Sequence, residues 1–111
     1  MPRSTESEES LSEMARNNPD AMIAYIKSCS DVGRLTHAAE IAGMIIRDAK
    51  IHDPLIQLLK HPRPVVREGA LYGLYHHISY SIVLDAVYRT SLNDECETIR
   101  SVAGSLLHGI L

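Results

Sequence analysis

Six histidines and two cysteines are the side chains of this 111-residue chain best suited to metal binding or catalysis. His76 and His77 are adjacent, so on a helix their rings point in different directions. No His-x-x-x-His pair places two ligands on one helical face, as a helix-borne metal site requires. The histidine spacing therefore predicts no metal site.

The cysteines and serines show no arrangement typical of a catalytic nucleophile. Cys29 and Cys96 lie far apart in the chain, form no Cys-x-x-Cys motif and have no histidine close in sequence. We interpret them as reduced thiols of a cytoplasmic protein, with a disulfide as the alternative. No Gly-x-Ser-x-Gly elbow occurs. We therefore predict a protein that is not an enzyme and uses no cofactor.

The composition indicates one small helical domain. Hydrophobic residues make up 45% of the chain, but its only aromatic residues are five tyrosines. A core without phenylalanine or tryptophan must be built from aliphatic side chains, which favours close helix packing over a sandwich of sheets. The net charge of -3 gives no general attraction for phosphate backbones and argues against nucleic acid as a partner.

The two ends of the chain carry different signals. Residues 1–10 are rich in serine and glutamate, a composition that cannot bury enough apolar surface to offset the entropy of ordering. We therefore expect a flexible tail over 1–10 and a single domain over 11–111. No apolar stretch has the length of a signal peptide or of a membrane-spanning helix, which predicts a soluble cytoplasmic protein with no membrane association.

Capping residues and helical periodicity predict seven helices. Ser10 and Glu13 form a capping box that starts the first helix, Asn18 and Pro19 start the second, and Asp53 is the expected N-cap of the fourth. The predicted helices after the second cover about 32–48, 54–61, 64–78, 82–92 and 96–111. No strand pattern is found.

Two of these helices repeat the same pattern at a fixed spacing. Val66-Arg67, with Ala70 and Leu74, aligns at a shift of 33 residues with Ile99-Arg100, Ala103 and Leu107. Such a shift is typical of an array of helical pairs, in which neighbouring repeats must stack to bury their apolar faces.

These repeated residues, together with Pro54, Leu55, Leu58, Leu59, Pro62 and Pro64, resemble the HEAT repeat family, including the HEAT-like repeats named after phycobiliprotein lyases. The resemblance covers about 19–111. It implies an all-α fold, a short right-handed α-solenoid of about three antiparallel helical pairs.

One departure from the family pattern concerns the turns between paired helices. The family usually has an aspartate where His61 and Arg63 stand here, and that aspartate links successive turns. We therefore expect Arg67 and Arg100 to be structural residues at the repeat junctions, bonded to carbonyls or glutamates instead of an aspartate ladder.

The predicted 64–78 helix has one side suited to binding a partner. On a helical wheel, Val66, Ala70, Gly73, Leu74 and His77 cluster on one side. Opposite them lie the candidate partner-binding residues Glu68, Tyr72, Tyr75 and His76. Neighbouring tyrosines combine apolar area with a hydroxyl group, as interfaces use. The alternative is that these rings pack against the N-terminal helix or the turn at Tyr80.

The sequence favours a noncatalytic protein-interaction module that binds a protein partner through this second-helix, concave face. One alternative is a HEAT-like enzyme or enzyme-assisting domain, of lyase or nucleic-acid-binding type, which would use a basic stripe of Arg34, Lys60, Arg63 and Arg67. Another is a self-associating structural domain. Its homodimer would form through the apolar C-terminal helix at Leu107, Ile110 and Leu111.

Overall fold

The structure, a computed structural model, describes residues 8–110. Across that range the backbone forms helices, turns and bends, with no strand. The all-helical prediction is therefore confirmed. The α-helices are α1 Glu8–Asn17, α2 Pro19–Ser28, α3 Val32–Ile45, α4 His52–Leu58, α5 Pro64–Tyr75, α6 Ser81–Asn93 and α7 Glu97–Leu107, and a 3-10 helix spans Ala49–Ile51.

Several helix starts follow the capping residues of the sequence. Asn18 caps α2 by accepting a hydrogen bond from the Ala21 N–H at 3.1 Å, and Pro19 takes the first helical position, as predicted. Pro64 likewise opens α5, where its missing N–H costs no helical hydrogen bond. The local sequence therefore determines where these two helices begin.

The predicted start of the first helix is wrong. Helix α1 begins at Glu8, so Ser10 lies inside the helix and residues 8–10 of the expected tail are helical. Glutamates in a first turn are favoured by the partial positive charge of the helix N-terminus, which explains the earlier start. Residues 1–7 of the expected tail lie outside the described range.

The predicted start of the fourth helix also needs correction. Helix α3 ends at Ile45, and the Asp48 carboxylate then accepts a hydrogen bond from the Lys50 N–H at 2.8 Å, which caps the 3-10 helix. This cap comes five residues before the expected one at Asp53. Helix α4 consequently starts at His52, and Asp53 lies in its first turn.

The helices pack in two series. The odd-numbered helices α1, α3, α5 and α7 contact one another in chain order, and so do α2, α4 and α6. The body they form measures 45 × 25 × 20 Å. Each helix contributes buried aliphatic side chains, among them Leu11, Met22, Leu35, Leu55, Leu71, Val83 and Ile99.

The closest packing is between α3 and α5. A Cβ atom on Gly43 would collide with the Gly73 main chain, and one on Gly69 would lie 2.7 Å from the Thr36 carbonyl oxygen. Thr36 therefore faces Gly69, and Gly43, further along α3, faces Gly73, further along α5. The two helices run in the same direction, with their backbones in direct contact.

Candidate functional site

The surface of α5 is divided between the core and solvent. Val66, Ala70 and Leu74 are buried, whereas Tyr72 and Tyr75 on the other side are 39% and 44% exposed. The helix ends at Tyr75, earlier than the predicted end at residue 78, so the buried His77 lies in the turn just after it. Glu68 is half-buried and His76 is exposed. Neither tyrosine is packed away as a core residue, so the rings are accessible to a partner.

Helix α3, which packs against α5, also carries an exposed apolar side chain. Met44 follows Gly43, which packs against α5, and the Met44 side chain is 46% exposed. Partial shielding of the His76 ring from water, the nearby charge of Arg47 and the neighbouring His77 lower the pKa of His76. The Tyr75 and His76 rings meet edge to face at 6.2 Å between centroids. We call the surface formed by Met44, Arg47, Tyr72, Tyr75 and His76 the tyrosine face.

A buried ion pair joins the turn before α5 to the turn before α7. The Arg67 Nε and Nη2 groups donate to the two Asp94 carboxylate oxygens at 2.8 and 2.9 Å, and both side chains are 5% exposed. Arg67 Nη1 also donates to the His61 carbonyl at 2.8 Å. Arg100 donates to the Asp94 carbonyl from the following helix. The expected bonds to carbonyls are therefore present, but the expectation that no aspartate takes part is wrong for Arg67, because Asp94 in the turn before α7 supplies the carboxylate.

The electrostatics of this pair favour both charged forms. Burial alone would raise the pKa of Asp94, but hydrogen bonds from Arg67 and from the Cys96 N–H, with the charges of Arg67 and Arg100, hold it below its usual value. The hydrogen bond to Asp94 raises the pKa of Arg67 despite burial. The sequence signal for Asp94 was its place in the polar turn before α7, but its partner lies 27 residues away.

A second buried polar group lies at the α3–α5 junction. His77 Nε2 is 2.9 Å from the Gly43 carbonyl, and His77 Nδ1 is 2.9 Å from His52 Nε2. Because a carbonyl only accepts, the His77 proton is on Nε2, and His52 must then donate from its own Nε2 in the neutral pair. The Tyr80 ring lies edge-on to His52, 4.5 Å away between centroids.

The histidine pair is enclosed by the protein core. Both rings are buried, with exposures of 5% for His52 and 2% for His77, so a substrate cannot reach them in this conformation. Burial and the proximity of His77 lower the pKa of His52, against an opposite effect of Asp48. The pair was not predictable from local sequence patterns, because its two rings come from positions 25 residues apart.

The residues predicted for self-association differ in their exposure to solvent. Leu107 is buried at 7% exposure, so it belongs to the core and does not offer a surface to a second copy. Its burial follows from the helical stripe of α7, which turns Ile99, Ala103 and Leu107 inward. Ile110 is 43% exposed, and Leu111 lies outside the described residues.

The basic stripe of the nucleic-acid alternative is not assembled as that alternative requires. Arg34, Lys60 and Arg63 are exposed, but Arg67 is buried and bonded to Asp94.

Residues 8–110 contain no group of three or more histidine, cysteine or acidic side chains able to hold a metal ion. Among those same residues, none of the helices has the length and apolar character needed to span a membrane.

Comparison with other proteins identifies no relative of this chain. The chain matches no protein-family model, no curated protein and no solved structure. Its function must therefore be inferred from its own geometry.

Proposed function

We propose that this chain is a short HEAT-like helical repeat module that binds a protein partner through the tyrosine face and has no catalytic activity. Three features of the packing support the repeat architecture. The odd-numbered helices contact one another in chain order and so do the even-numbered ones, α3 and α5 run in the same direction, and Arg67 joins two inter-helix turns.

The observation that carries the binding role is the division of α5. Its inner side is committed to the core and to the backbone contact with α3, so it cannot move without disturbing the fold. Its outer side presents Tyr72 and Tyr75 on that rigid support, and Met44, which follows Gly43 on the neighbouring helix, is exposed as well. Tyrosine and methionine are enriched at protein interfaces, and a rigid support lowers the entropy lost on binding.

The polar interior supports an architectural role over an enzymatic one. Arg67 and Asp94 are paired with each other, and His52 and His77 are bonded in series to a backbone carbonyl. The polar groups of these buried side chains are therefore used in bonds within the protein.

Cys29 and Cys96 are free thiols, which fits a reducing compartment such as the cytoplasm.

The test is a Tyr72→Ala/Tyr75→Ala double variant. We expect it to weaken partner binding at least tenfold while its melting curve stays close to that of the unmodified protein, because both rings are partly in solvent. A photo-crosslinking residue at position 72 would first identify the bound protein in cells of the source organism. Affinities of that protein for the variants would then be measured by calorimetry.

The matched control is Tyr88→Ala, which removes an equally exposed tyrosine, 45% accessible, from α6. It should leave the affinity unchanged. Equal losses of affinity in the control and the double variant would show that exposed tyrosines in general, and not the tyrosine face, are responsible for binding the partner. A large drop in melting temperature for the double variant alone would show that Tyr72 and Tyr75 act mainly in the fold.

A further inference from the structure

A groove of about 310 Å³ lies between α2 and α4, on helices other than those of the tyrosine face. Its apolar lining includes Ile26, Leu35, Pro54 and Leu58. Ile26 and Leu35 belong to the core, so this lining is held in place by the packing beneath it. The lining contains no phenylalanine, tyrosine or tryptophan, and its apolar part is aliphatic, which makes the groove suited to an aliphatic group.

The polar part of the same lining carries positive charge without a compensating carboxylate. Lys27 and Lys60 both line the groove, and both are exposed. Two other exposed cations do have carboxylate partners, in the Lys50–Asp20 pair at 3.2 Å and the Arg89–Asp85 pair at 2.9 Å. No such pair involves Lys27 or Lys60, so both ammonium groups are available to a ligand.

His61 adds a hydrogen-bond donor to this lining. Its Nδ1 accepts the Arg63 N–H at 3.0 Å, so in the neutral ring the proton is on Nε2. Two ammonium groups and an imidazole N–H form a donor set that matches a carboxylate, whose two oxygens accept several hydrogen bonds.

A neighbouring groove provides a contrast. The space between α4 and α6 has a similar size, about 340 Å³, but its lining includes Asp94 and Arg89, each already in an ion pair. Lys60 lines both grooves, but in the α4–α6 groove it shares the lining with the Asp94 carboxylate. Of these two grooves, only the α2–α4 groove has a second unpaired lysine, Lys27, and a lining without a carboxylate.

We propose that the α2–α4 groove is a binding site for a short aliphatic carboxylate, with Lys27, Lys60 and His61 holding the carboxylate and Ile26, Leu35 and Leu58 contacting the hydrocarbon chain. The volume is at the lower end of small-molecule sites, which matches a medium-length chain rather than a long one. This site does not depend on partner binding at the tyrosine face.

The experiment is an NMR titration of the methyl groups of Ile26, Leu35 and Leu58 with octanoate, below its micelle concentration. We expect saturable shifts of these methyl signals. Octanol, which keeps the hydrocarbon chain, and acetate, which keeps the carboxylate, should each bind at least tenfold more weakly. Octanoate should also slow alkylation of Cys29, which lines the groove, and leave Cys96, outside it, unaffected.

The charge requirement is tested by Lys27→Glu/Lys60→Glu, which should weaken octanoate binding more than tenfold. The matched control, Arg16→Glu/Lys50→Glu, makes the same change in net charge at exposed positions outside the groove and should retain the affinity. If charge reversal prevents folding, Lys27→Gln/Lys60→Gln replaces it, with the same loss expected. Equal affinity for octanol and octanoate, equal effects of the two double variants, or shifts that fail to saturate would overturn the proposal.

Discussion

The α3–α5 and α5–α7 junctions join successive helices of one series by different means. At α3–α5, glycines bring the backbones into contact, and beside them the buried rings of His52 and His77 are bonded in series to the Gly43 carbonyl. At α5–α7, the glycine of the later helix, Gly104, has open space around its Cβ position, and the Arg67–Asp94 ion pair makes the connection. One junction depends on the absence of side-chain atoms and the other on charge.

The largest expected effect is that of Gly43→Ala. The new methyl group would meet the Gly73 main chain, which cannot rotate away as a flexible side chain can. We expect a loss of more than about 3 kcal/mol in the free energy of unfolding, at the upper end of overpacking effects. Urea denaturation measures it, and a loss below about 1 kcal/mol would show that α3 and α5 can separate without cost.

Breaking the other junction should cost nearly as much. Arg67→Leu leaves the buried Asp94 carboxylate without its cation, and we expect a loss of about 3 kcal/mol. The double variant Arg67→Leu/Asp94→Asn removes the buried charge and keeps an acceptor for the Cys96 N–H. It should recover more than half of that loss in the same denaturation assay. A double variant no more stable than the single one would show that the arginine acts through its carbonyl contacts instead.

Acid should weaken the two junctions in different pH ranges. The pKa of His52 is lowered from 6.5 in the fold, so below that pH the unfolded chain binds more protons and stability decreases as pH falls. The slope is at most about 1.4 kcal/mol per pH unit for each proton. The pKa of Asp94 is lowered from 3.8, so its contribution is present above about that pH and is lost only as pH falls further.

Denaturation curves measured between pH 8 and pH 3 would check this order. His52→Gln, which keeps a donor for His77 and does not titrate, should reduce the slope below pH 6.5 and leave the acid limb near pH 3 in place. The pKa of His76 is lowered as well, so His76→Gln is the control that separates the two contributions. An unchanged slope in His52→Gln would contradict the assignment.

The smallest expected effect is a gain in stability, produced by Gly104→Ala. Gly104 lies in α7 with no heavy atom within 4 Å of its Cβ position, so Gly104→Ala meets no obstacle. Alanine favours a helix over glycine by about 1 kcal/mol, and we expect stabilisation of that order. Gly43→Ala and Gly104→Ala should therefore change the free energy of unfolding in opposite directions, although both place alanine for glycine in odd-numbered helices. A destabilised variant would mean that α7 packs more tightly than the structure shows.

Local signals in the sequence were enough to predict the helical class, the starts of α2 and α5, and the side of α5 that is buried. Each of these depends on residues within a few positions of one another, such as Asn18 with Ala21. The start of α4 was misjudged because two aspartates compete as caps, and the sequence does not rank Asp48 against Asp53.

The contacts that distinguish the α3–α5 junction from the α5–α7 junction could not be predicted from such local signals. The Arg67–Asp94 pair, the His52–His77 bond and the Gly43–Gly73 approach each join residues 25 or more positions apart. Their geometry depends on how one helix lies against another. Helical periodicity shows which side of a helix is apolar, but not how closely a neighbour approaches that side.

The backbone contact between α3 and α5 has a consequence for how this sequence can change over time. Most core positions tolerate exchange because neighbouring side chains adjust, but at Gly43 and Gly73 the neighbour is main chain and has nothing to adjust. Moving the helices apart would also lengthen the bond from His77 to the Gly43 carbonyl, now 2.9 Å. We therefore expect descendants of this chain to keep both glycines and His77 together, or to lose all three at once.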